Sequence, residues 1–505
     1  MSFNLLTDPF LPVRTADGGR RVMRLTGLFA AEDAVEPDWP RGDFNAAAFE
    51  FLIGIVSVAL APMGLVEWRA GWATPPADWA ARLAPLAPAF ELFGDGARFL
   101  QEFGGLDGDP TPIEALLIDT PGANGQRKTS DLLTHRGRTA AMAPAEAAMA
   151  LYTLQAFAPT GGAGNMTSMR GGGPLSVLVV PQGAGGAPVP LWRKVWANLA
   201  PQIAPVGDLR DVFAWLGPRR VKGKVHADTP GFHPLHSHFG MPRRMTLMAD
   251  GQGNVTGFVQ KPHGLDYGLW QHPMTPYRQV KPDSEPYSVK PNAQVFRARD
   301  WVDVARRVGD LRSGNVRALK ERENRLTAGQ QHPEPRLRVA GWNMNNMEAV
   351  SFLEAELPLH LVADAGRQYD LDALAVDMAN AADQAAFETR RHVRRAVFGD
   401  GTADTGKGVL DAVSGEVLDA ADRAFHEILA EAQAAEPGPG PFGDHGRAEF
   451  AACWLALLRR AALAAFDRAA PVPLHDPARA GRIVEARRRL VMSFGSRAKL
   501  AVDLG

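Results

Sequence analysis

The side chains best suited to metal chemistry are the histidines of residues 226–238, three of which lie in the run His-Pro-Leu-His-Ser-His. Histidine is a common metal ligand, so His233, His236 and His238 form a candidate ligand set for a metal-dependent nuclease. Asp228 is the only acid among them, and no cysteine lies near. Loop histidines or phosphate contacts are therefore the alternative interpretation, and both stay open at this point.

Other catalytic patterns are absent from the sequence. It contains no P-loop, no paired-histidine zinc-protease motif, no Cys-x-x-Cys motif and no nucleophile elbow. Several aspartates lie around residues 364–377, at the expected start of a helix, where acids interact favourably with the helix dipole. The sequence therefore predicts a protein that is not an enzyme and needs no cofactor.

A glycine-rich segment, residues 159–174, reads Pro-Thr-Gly-Gly-Ala-Gly-Asn-Met-Thr-Ser-Met-Arg-Gly-Gly-Gly-Pro, and we call it the glycine loop. It holds six glycines and no carboxylate in 16 residues. Glycine lets a backbone or ligand approach closely, and exposed amide groups attract anions. The pattern favours contact with an anion or a nucleic-acid groove, and an unremarkable surface loop is the alternative.

Two further segments carry groups that suit nucleic acid. Residues 121–140 form a long basic loop, and basic residues with interleaved aromatics extend from Arg219 to Arg299. Residues 338–349 (Arg-Val-Ala-Gly-Trp-Asn-Met-Asn-Asn-Met-Glu-Ala) place asparagine amides and methionines at a turn. This turn is either a local asparagine turn or a tip that meets base edges.

Composition limits the class of protein. The chain has 505 residues, 46% hydrophobic and 22% charged, with a net charge of −1, which argues against bulk electrostatic binding of nucleic acid by the chain alone. Cys453 is the only cysteine, which excludes internal disulfides and a thiolate metal cluster. We expect no signal peptide, because the N-terminus lacks basic and apolar regions, and we expect a cytoplasmic protein without membrane contact. The apolar run at residues 49–62 is predicted to be a buried core helix.

The pattern of elements predicts an α+β fold. A large mixed α/β domain, residues 1–365, precedes a C-terminal four-helix bundle, residues 366–505. In the first domain a helix from Pro144 to Phe157 and a strand at 175–180 flank the glycine loop, and residues 246–259 and 266–270 form hairpin strands with a turn at Asp250-Gly251. The bundle helices are predicted at Leu371–Phe398, Lys407–Ala435, Gly446–Ala469 and Pro477–Ala498.

These motifs together resemble the CasA-type large subunits of the type I-E CRISPR surveillance complex, Cascade. The resemblance covers nearly the whole chain. It rests on the C-terminal helical bundle and on the order and spacing of five segments. The segments read Asn-Leu-Leu-Thr-Asp-Pro-Phe-Leu-Pro-Val (4–13), most of the glycine loop with its preceding alanine (158–172), Met-Pro-Arg-Arg-Met-Thr-Leu (241–247), Gly-Phe-Val-Gln-Lys with the later Gly-Leu-Trp (257–261 and 268–270), and Gly-Trp-Asn-Met-Asn-Asn-Met-Glu-Ala (341–349).

The resemblance implies recognition of the protospacer-adjacent motif (PAM) in double-stranded DNA. By motif, the DNA-contacting glycine loop corresponds to Gly161, Gly162, Ala163 and Gly164, and Lys261 corresponds to a groove-reading lysine. A wedge that opens the first base pair corresponds to Asn345, Asn346 and Met347. Contacts with the guide RNA or the complex backbone are implied for Arg127, Lys128, His135, Arg136 and Arg138.

The resemblance also implies partners. These are the guide RNA, the other Cascade subunits including the small-subunit dimer, the target DNA, and a helicase–nuclease that docks on this subunit. Some relatives carry a cysteine-rich zinc site before the lysine hairpin, but residues 240–255 contain no cysteine, so no zinc is predicted here. A metal-dependent nuclease and a purely structural scaffold remain the alternative functions.

Overall fold

The computed structural model describes all residues except 1, 62, 123–125, 128–136, 160, 163, 203, 219–220, 222, 269, 280, 282, 292–294, 306–310, 319–333, 346–347, 363, 400–405, 436–445 and 496–505. The chain forms two compact units. The first comprises Met1–Val295 and Gly309–Leu357, and the second comprises Phe296–Val308 and Pro358–Gly505. The domain boundary predicted between residues 365 and 366 stays a prediction, because compactness alone does not define an independently folding domain.

The first unit mixes short strands with helices, as the composition predicts. Its elements are β1 (Leu11–Thr15), β2 (Arg20–Met23), β3 (Ala34–Pro37), α1 (Gly42–Leu60), α2 (Leu65–Ala73), α3 (Trp79–Leu83), β4 (Thr111–Pro112), α4 (Pro144–Phe157), β5 (Ser176–Val180), α5 (Leu191–Ala197), β6 (Arg244–Ala249), β7 (Val255–Lys261), β8 (Tyr277–Arg278), β9 (Tyr287–Ser288), β10 (Arg336–Asn345) and β11 (Glu348–Pro358). The helix and strand predicted on either side of the glycine loop are confirmed as α4 and β5.

Helix α1 is the central helix of the first unit. It is apolar on all sides, and nearly every residue from Asp43 to Val58 is buried. Neighbouring side chains approach it closely, since a Cβ on Gly54 would lie 2.7 Å from the Cβ of His238. Among the described helices, α1 is the one that is long and apolar enough to span a membrane. However, 83% of its apolar stretch is buried inside the protein. This burial is that of a core helix, as the sequence predicts.

The described strands form small sheets, with strand orders β2-β1-β3, β11-β10-β5, β4-β7-β6 and β8-β9. Strand β10 runs antiparallel to β5, with Val339 opposite Val177. Strand β5 is buried at every position, which explains its continuous apolar sequence. This sheet therefore joins the strand that follows the glycine loop to the strand that leads to Asn345.

The hairpin of β6 and β7, which ends at Lys261 and which we call the lysine hairpin, differs in part from its prediction. The turn at Asp250-Gly251 is confirmed, and it joins β6 to β7 in an antiparallel pair with Leu247 opposite Phe258. Residues 266–270 do not supply a hairpin strand. The described residues there make only an isolated bridge, from Tyr267 to Val225, because β4 takes the free edge of β7.

The second unit is helical, and the predicted four-helix region is confirmed. Its long helices are α7 (Ala365–Phe398), α8 (Lys407–Ala434), α9 (Arg447–Ala469) and α10 (Pro477–Met492), and α7 packs against the other three. Asp364 caps α7 by accepting a hydrogen bond from the Arg367 amide at 2.8 Å, which explains why α7 starts earlier than predicted.

A further helix of the second unit, α6 (Ala298–Ala305), is not predicted from the sequence. It joins the long helices through polar contacts, because Arg297 forms an ion pair with Asp422 at 2.8 Å and Arg299 forms one with Asp383 at 2.9 Å. Its short length and its charged residues hide it among the basic residues of the sequence, which predict a nucleic-acid face there. These two arginines are instead engaged inside the second unit.

Candidate nucleic-acid interface

The base of the glycine loop is fixed to the core helix by a buried ion pair. Arg170 donates two hydrogen bonds to the carboxylate of Glu50 on α1, at 2.9 and 2.7 Å. The two side chains are 3% and 1% exposed. Arg170 also donates to the carbonyl of Ala156 in α4 at 3.2 Å. One guanidinium thus ties the loop both to the helix that precedes it and to the core.

Two histidines beside this ion pair are uncharged. Burial, reinforced by the positive charge of Arg170, lowers the pKa of His238 to about 3. Burial first, and then the positive charge of Arg170, also hold the pKa of His272 well below its ordinary value. Their rings lie 4.9 Å apart between centroids. The positive charge of Arg170 is therefore balanced by Glu50 in a region that excludes further cations.

The first half of the glycine loop lies against the end of the lysine hairpin. The amide of His263 donates to the carbonyl of Gly164 at 2.8 Å, and Gln260 donates to the side chain of Asn165 at 2.5 Å. A Cβ on Gly164 would lie only 2.9 Å from the Cβ of Pro262. Glycine at 164 therefore permits the contact that brings the loop beside Lys261.

Lys261 ends β7 in an exposed position. Within the part of the chain that the structure describes, its ammonium group forms no hydrogen bond and no ion pair. Its Nζ lies near Gly108, 3.0 Å from the place where a Cβ on that glycine would be. The lysine is thus available to a molecule outside the chain.

The last part of the glycine loop lies against β10. A Cβ on Gly173 would lie 2.3 Å from the carbonyl oxygen of Trp342 and 2.8 Å from the Cγ of Met344. Gly173 also has a φ of +62°, a conformation that favours glycine. Strand β10 continues from this contact to Asn345, which is exposed. The glycine loop therefore contacts both the turn that follows Lys261 and the strand that ends at Asn345.

The structure places some of the predicted DNA-contacting residues and leaves others outside the described residues. Gly161 and Gly162 are exposed, Gly164 is half-buried, and Lys261 and Asn345 are exposed. Ala163, Asn346 and Met347 lie outside the described residues. The roles of all eight residues on DNA stay predictions.

The predicted guide-RNA loop is described only in part. Lys128, His135 and Arg136 lie outside the described residues, and Arg127 is exposed. Arg138 forms an ion pair with Asp119 at 2.8 Å, and Asp119 also contacts Arg41 at 3.0 Å. Burial alone would raise the pKa of Asp119, but the two arginines lower it below its ordinary value. An RNA contact by Arg138 would therefore compete with an existing ion pair.

The candidate metal ligands have separate partners. His236 uses one ring nitrogen with the carbonyl of Val212 at 2.7 Å and the other with the hydroxyl of Tyr267 at 2.8 Å. His233 accepts from the amide of Leu235 at 3.2 Å, which begins the short 3-10 helix Pro234–Phe239. Among the residues with described positions, no three His, Cys, Asp or Glu side chains are grouped to hold a metal ion. The geometry therefore favours the interpretation as structural histidines.

Arg243 is the residue of this region that the sequence analysis missed as part of the site. It lies just before β6, beneath the glycine loop, with 6% of its surface exposed. Its guanidinium donates a short hydrogen bond to the carbonyl of Pro159. Burial lowers its pKa to about 10. The sequence counts Arg243 and Arg244 alike as basic residues, although alternation along a strand sends consecutive side chains to opposite faces.

This arrangement suits approach to a nucleic-acid groove. The site combines exposed backbone without side chains at Gly161 and Gly162, a lysine without an ion pair to described residues, and an exposed asparagine. The lysine and the asparagine lie on two segments that the glycine loop contacts. Backbone amides position a protein on phosphates, and amine and amide groups contact base edges. No carboxylate lies in the glycine loop, which favours an anionic partner.

Known proteins match this chain over nearly its full length. A family model described as "CRISPR-associated protein Cse1" matches residues 4–465. The solved structure of Thermus thermophilus CasA (Cse1) is 18% identical with a TM-score of 0.70, and the match covers 97% of this chain and 99% of that chain. Thermobifida fusca Cse1 is 18% identical with a TM-score of 0.66, and the match covers 99% of this chain and 98% of that chain.

A third structure comes from an assembly. A chain of the solved structure named "CRISPR RNA-guided surveillance complex" is 16% identical with a TM-score of 0.72, and the match covers 98% of this chain and 99% of that chain. At such identities the structural matches show a shared fold, whereas the family model covers most of the sequence. The chain belongs to the CRISPR-associated protein Cse1 family.

Proposed function

We propose that this chain is the large subunit of a type I-E CRISPR surveillance complex and recognises the PAM of double-stranded target DNA. The observation that carries the proposal is the contact of the glycine loop with both the Lys261 turn and the β10 strand. Two contacts support it, a hydrogen bond of 2.8 Å between His263 and Gly164 and the close approach of Gly173 to Trp342. A relative of the same fold is part of a CRISPR RNA-guided surveillance complex.

In this proposal the glycine loop and Lys261 enter the minor groove of the PAM duplex. Minor-groove edges distinguish few base pairs, so a flexible lysine donor and a bare backbone tolerate more than one PAM. Asn345, Asn346 and Met347 then act as the wedge that separates the first base pair. Such insertion costs about a few kcal/mol for each unstacked step, which contacts to the DNA backbone offset. The guide RNA pairs with the opened strand and forms an R-loop.

The other proposed partners follow the same assignment. The basic loop with Arg127 and Arg138 contacts the guide RNA or the complex backbone, and the helical unit contacts the small-subunit dimer. A helicase–nuclease docks on this subunit for antiviral defence, and the complex works in the cytoplasm. The subunit itself performs no catalysis in this proposal, in keeping with the separate engagement of His233 and His236.

A PAM-library binding assay tests the proposal. The chain is co-purified with its guide RNA and the other subunits, and the complex selects duplexes from a library randomised beside the target. We expect the wild type to enrich a limited set of PAMs. Lys261→Ala should weaken binding to those duplexes by roughly 10-fold, since one base contact contributes about 1–3 kcal/mol.

Lys407→Ala is the matched control, because it removes the same charge from an exposed position at the start of α8. It should leave the enrichment of PAMs unchanged. Absence of any PAM preference in the wild-type complex would refute the proposed function. Equal affinities of wild type and Lys261→Ala across all PAMs would refute the role of Lys261 alone.

A further inference from the structure

Two consecutive arginines beside the glycine loop have opposite environments. Arg244 opens β6 and forms an ion pair with Glu102 at 2.9 Å, and both side chains are 19% exposed. Arg243 precedes it and is directed to the interior, where its guanidinium donates to the carbonyl of Pro159. The main chain of Arg243 is held by Gln155 of α4, whose amide donates to the Arg243 carbonyl at 2.9 Å. The position of this arginine is therefore fixed from two sides.

Arg243 lacks a counter-charge among the residues that the structure describes. No carboxylate of the described residues bonds to it, and burial is the one cause that shifts its pKa, which stays near 10. Its Nε has no hydrogen-bond partner. At neutral pH the group is therefore a buried cation, and a buried charge without an opposite charge is unfavourable. Proteins that retain such a group commonly use it at a site of function.

The backbone of the glycine loop at Gly161 packs directly against this cation. A Cβ on Gly161 would lie 2.5 Å from the Nη1 of Arg243, and Gly161 and Gly162 are both exposed. The loop contributes no carboxylate of its own. The exposed backbone at Gly161 and Gly162 is thus a small surface without side chains that lies beside a positive charge.

We propose that a backbone phosphate of the target duplex docks on the exposed backbone of Gly161 and Gly162 and supplies the counter-charge of Arg243. This inference rests on the proposed function, in which the glycine loop meets DNA, and it adds a phosphate-positioning residue that acts from beneath the loop. Arg243 has two effects in this account. It holds the loop through Pro159, and its charge attracts the phosphate that sets the register of the loop on the duplex.

The salt dependence of duplex binding tests the inference. Each phosphate that a protein neutralises contributes about 0.9 to the slope of log affinity against log salt concentration. For the assembled complex, Arg243→Gln should lower this slope by about 0.9, so that between 50 and 200 mM salt its affinity falls about 3.5-fold less than that of the wild type. Arg244→Gln is the matched control, because it removes the same charge from the neighbouring residue. It should leave the slope unchanged, since Glu102 already neutralises Arg244.

The outcomes separate a phosphate contact from a structural clamp. Weaker binding by Arg243→Gln with an unchanged slope and a lowered melting temperature would overturn the proposal, since that pattern shows a role in folding of the loop alone. Arg243→Lys covers the case in which Arg243→Gln does not assemble. It keeps the charge and loses the hydrogen-bonding fork, so a wild-type slope with reduced affinity supports the proposal and a slope lowered by about 0.9 overturns it.

The same measurement distinguishes failure of this inference from failure of the proposed function. Phosphate contacts carry no sequence information, so the slopes are measured on duplexes with and without the selected PAM. A wild-type complex without PAM preference refutes the proposed function, whereas the difference in slope between Arg243→Gln and wild type still decides the role of Arg243.

Discussion

Cations are treated differently in the two regions that the sequence marks as basic. In the helical unit, several arginines are paired with carboxylates of other segments of that unit, as Arg487 is with Asp467 and Arg297 with Asp422. Around the glycine loop, Arg243 and Lys261 form no ion pair with described residues. A pair within the chain uses its charge to hold helices together, whereas an unpaired cation leaves its charge for a molecule outside. Local density of arginine and lysine therefore does not identify a binding surface, and the absence of carboxylate partners is the better guide.

A third arrangement lies at the base of the glycine loop, where a paired arginine is fully buried. The Arg170–Glu50 pair and the Arg487–Asp467 pair have the same two-pronged geometry, with distances of 2.7–2.9 Å. They differ in exposure, since the first pair is 3% and 1% exposed and the second is 42% and 50% exposed. The two pairs should therefore contribute very different amounts to the free energy of unfolding.

Removing the buried carboxylate should have the largest effect. Glu50→Gln leaves Arg170 charged in the core, so we expect the free energy of unfolding to fall by about 3–5 kcal/mol. Asp467→Asn is the matched change at the exposed pair, and it should cost about 0–1 kcal/mol. Urea denaturation followed by tryptophan fluorescence measures both. The double variant Glu50→Gln with Arg170→Met should recover much of the loss, and equal small losses at the two pairs would contradict the comparison.

Mild acid should weaken the core beside the glycine loop. The pKa of His238 is about 3 in the folded chain, compared with 6.5 as its ordinary value. Between these values the unfolded chain binds more protons, so folding stability falls as the pH falls through this window. The slope is about 1.4 kcal/mol per pH unit for one histidine, or about 2 kcal/mol between pH 6.5 and 5. Thermal melts of wild type and His238→Gln check this, and the variant should lose less stability, whereas parallel curves would contradict it.

Two glycines of the loop should separate packing from DNA contact. Gly162 and Gly164 have φ values of +63° and +80°, but a Cβ on Gly162 meets nothing within 4 Å, whereas one on Gly164 meets Pro262 and His263. Gly164→Ala should therefore lower both the melting temperature and the duplex affinity. The backbone strain alone should lower the free energy of unfolding by about 1–2 kcal/mol, and the clash with Pro262 and His263 adds to it.

Gly162→Asp should lower the melting temperature less than Gly164→Ala, because both positions carry the strain of a positive φ but only a side chain at 164 also clashes with Pro262 and His263. It should still lower duplex affinity, because its side chain projects into open space and adds a negative charge. This pair of variants also tests the interpretation of the chain as a purely structural scaffold. Wild-type duplex binding by Gly162→Asp would favour the scaffold, since packing alone explains Gly164 and does not explain an exposed bare backbone at 162.

The sequence predicts the elements around the site well, because their signals are local. The apolar run of β5 and the Pro144 start of α4 define the two ends of the glycine loop without tertiary information. Residues 266–270 have the same kind of apolar pattern, yet β4, far away in the sequence, pairs with β7 instead. Strand partners depend on which edge is free in the folded unit, and no local pattern encodes that.

The polar interactions that position the site are the part that the sequence hides. Glu50 and Arg170 are 120 residues apart, and a glutamate within an apolar helix does not indicate its partner. His263 has a positive φ of +61° and donates to the carbonyl of Gly164, and neither feature can be read from the local sequence. Arg243 and Arg244 differ in role only because one faces the interior, which the neighbouring arginine letters do not distinguish.

Site-directed cross-linking of the assembled complex to DNA tests the central claim, that three segments meet one duplex face. In a Cys453→Ser background, single cysteines replace Gly162, Lys261 and Asn345, and each complex is mixed with duplexes that carry a thiol tether near the PAM. An Arg82→Cys variant, at an exposed position of α3, is the control. The account predicts that all three site cysteines cross-link within the PAM and its adjoining base pairs, and that the control does not. Yields that are equal for PAM and non-PAM duplexes, or as high at the control position, would contradict it.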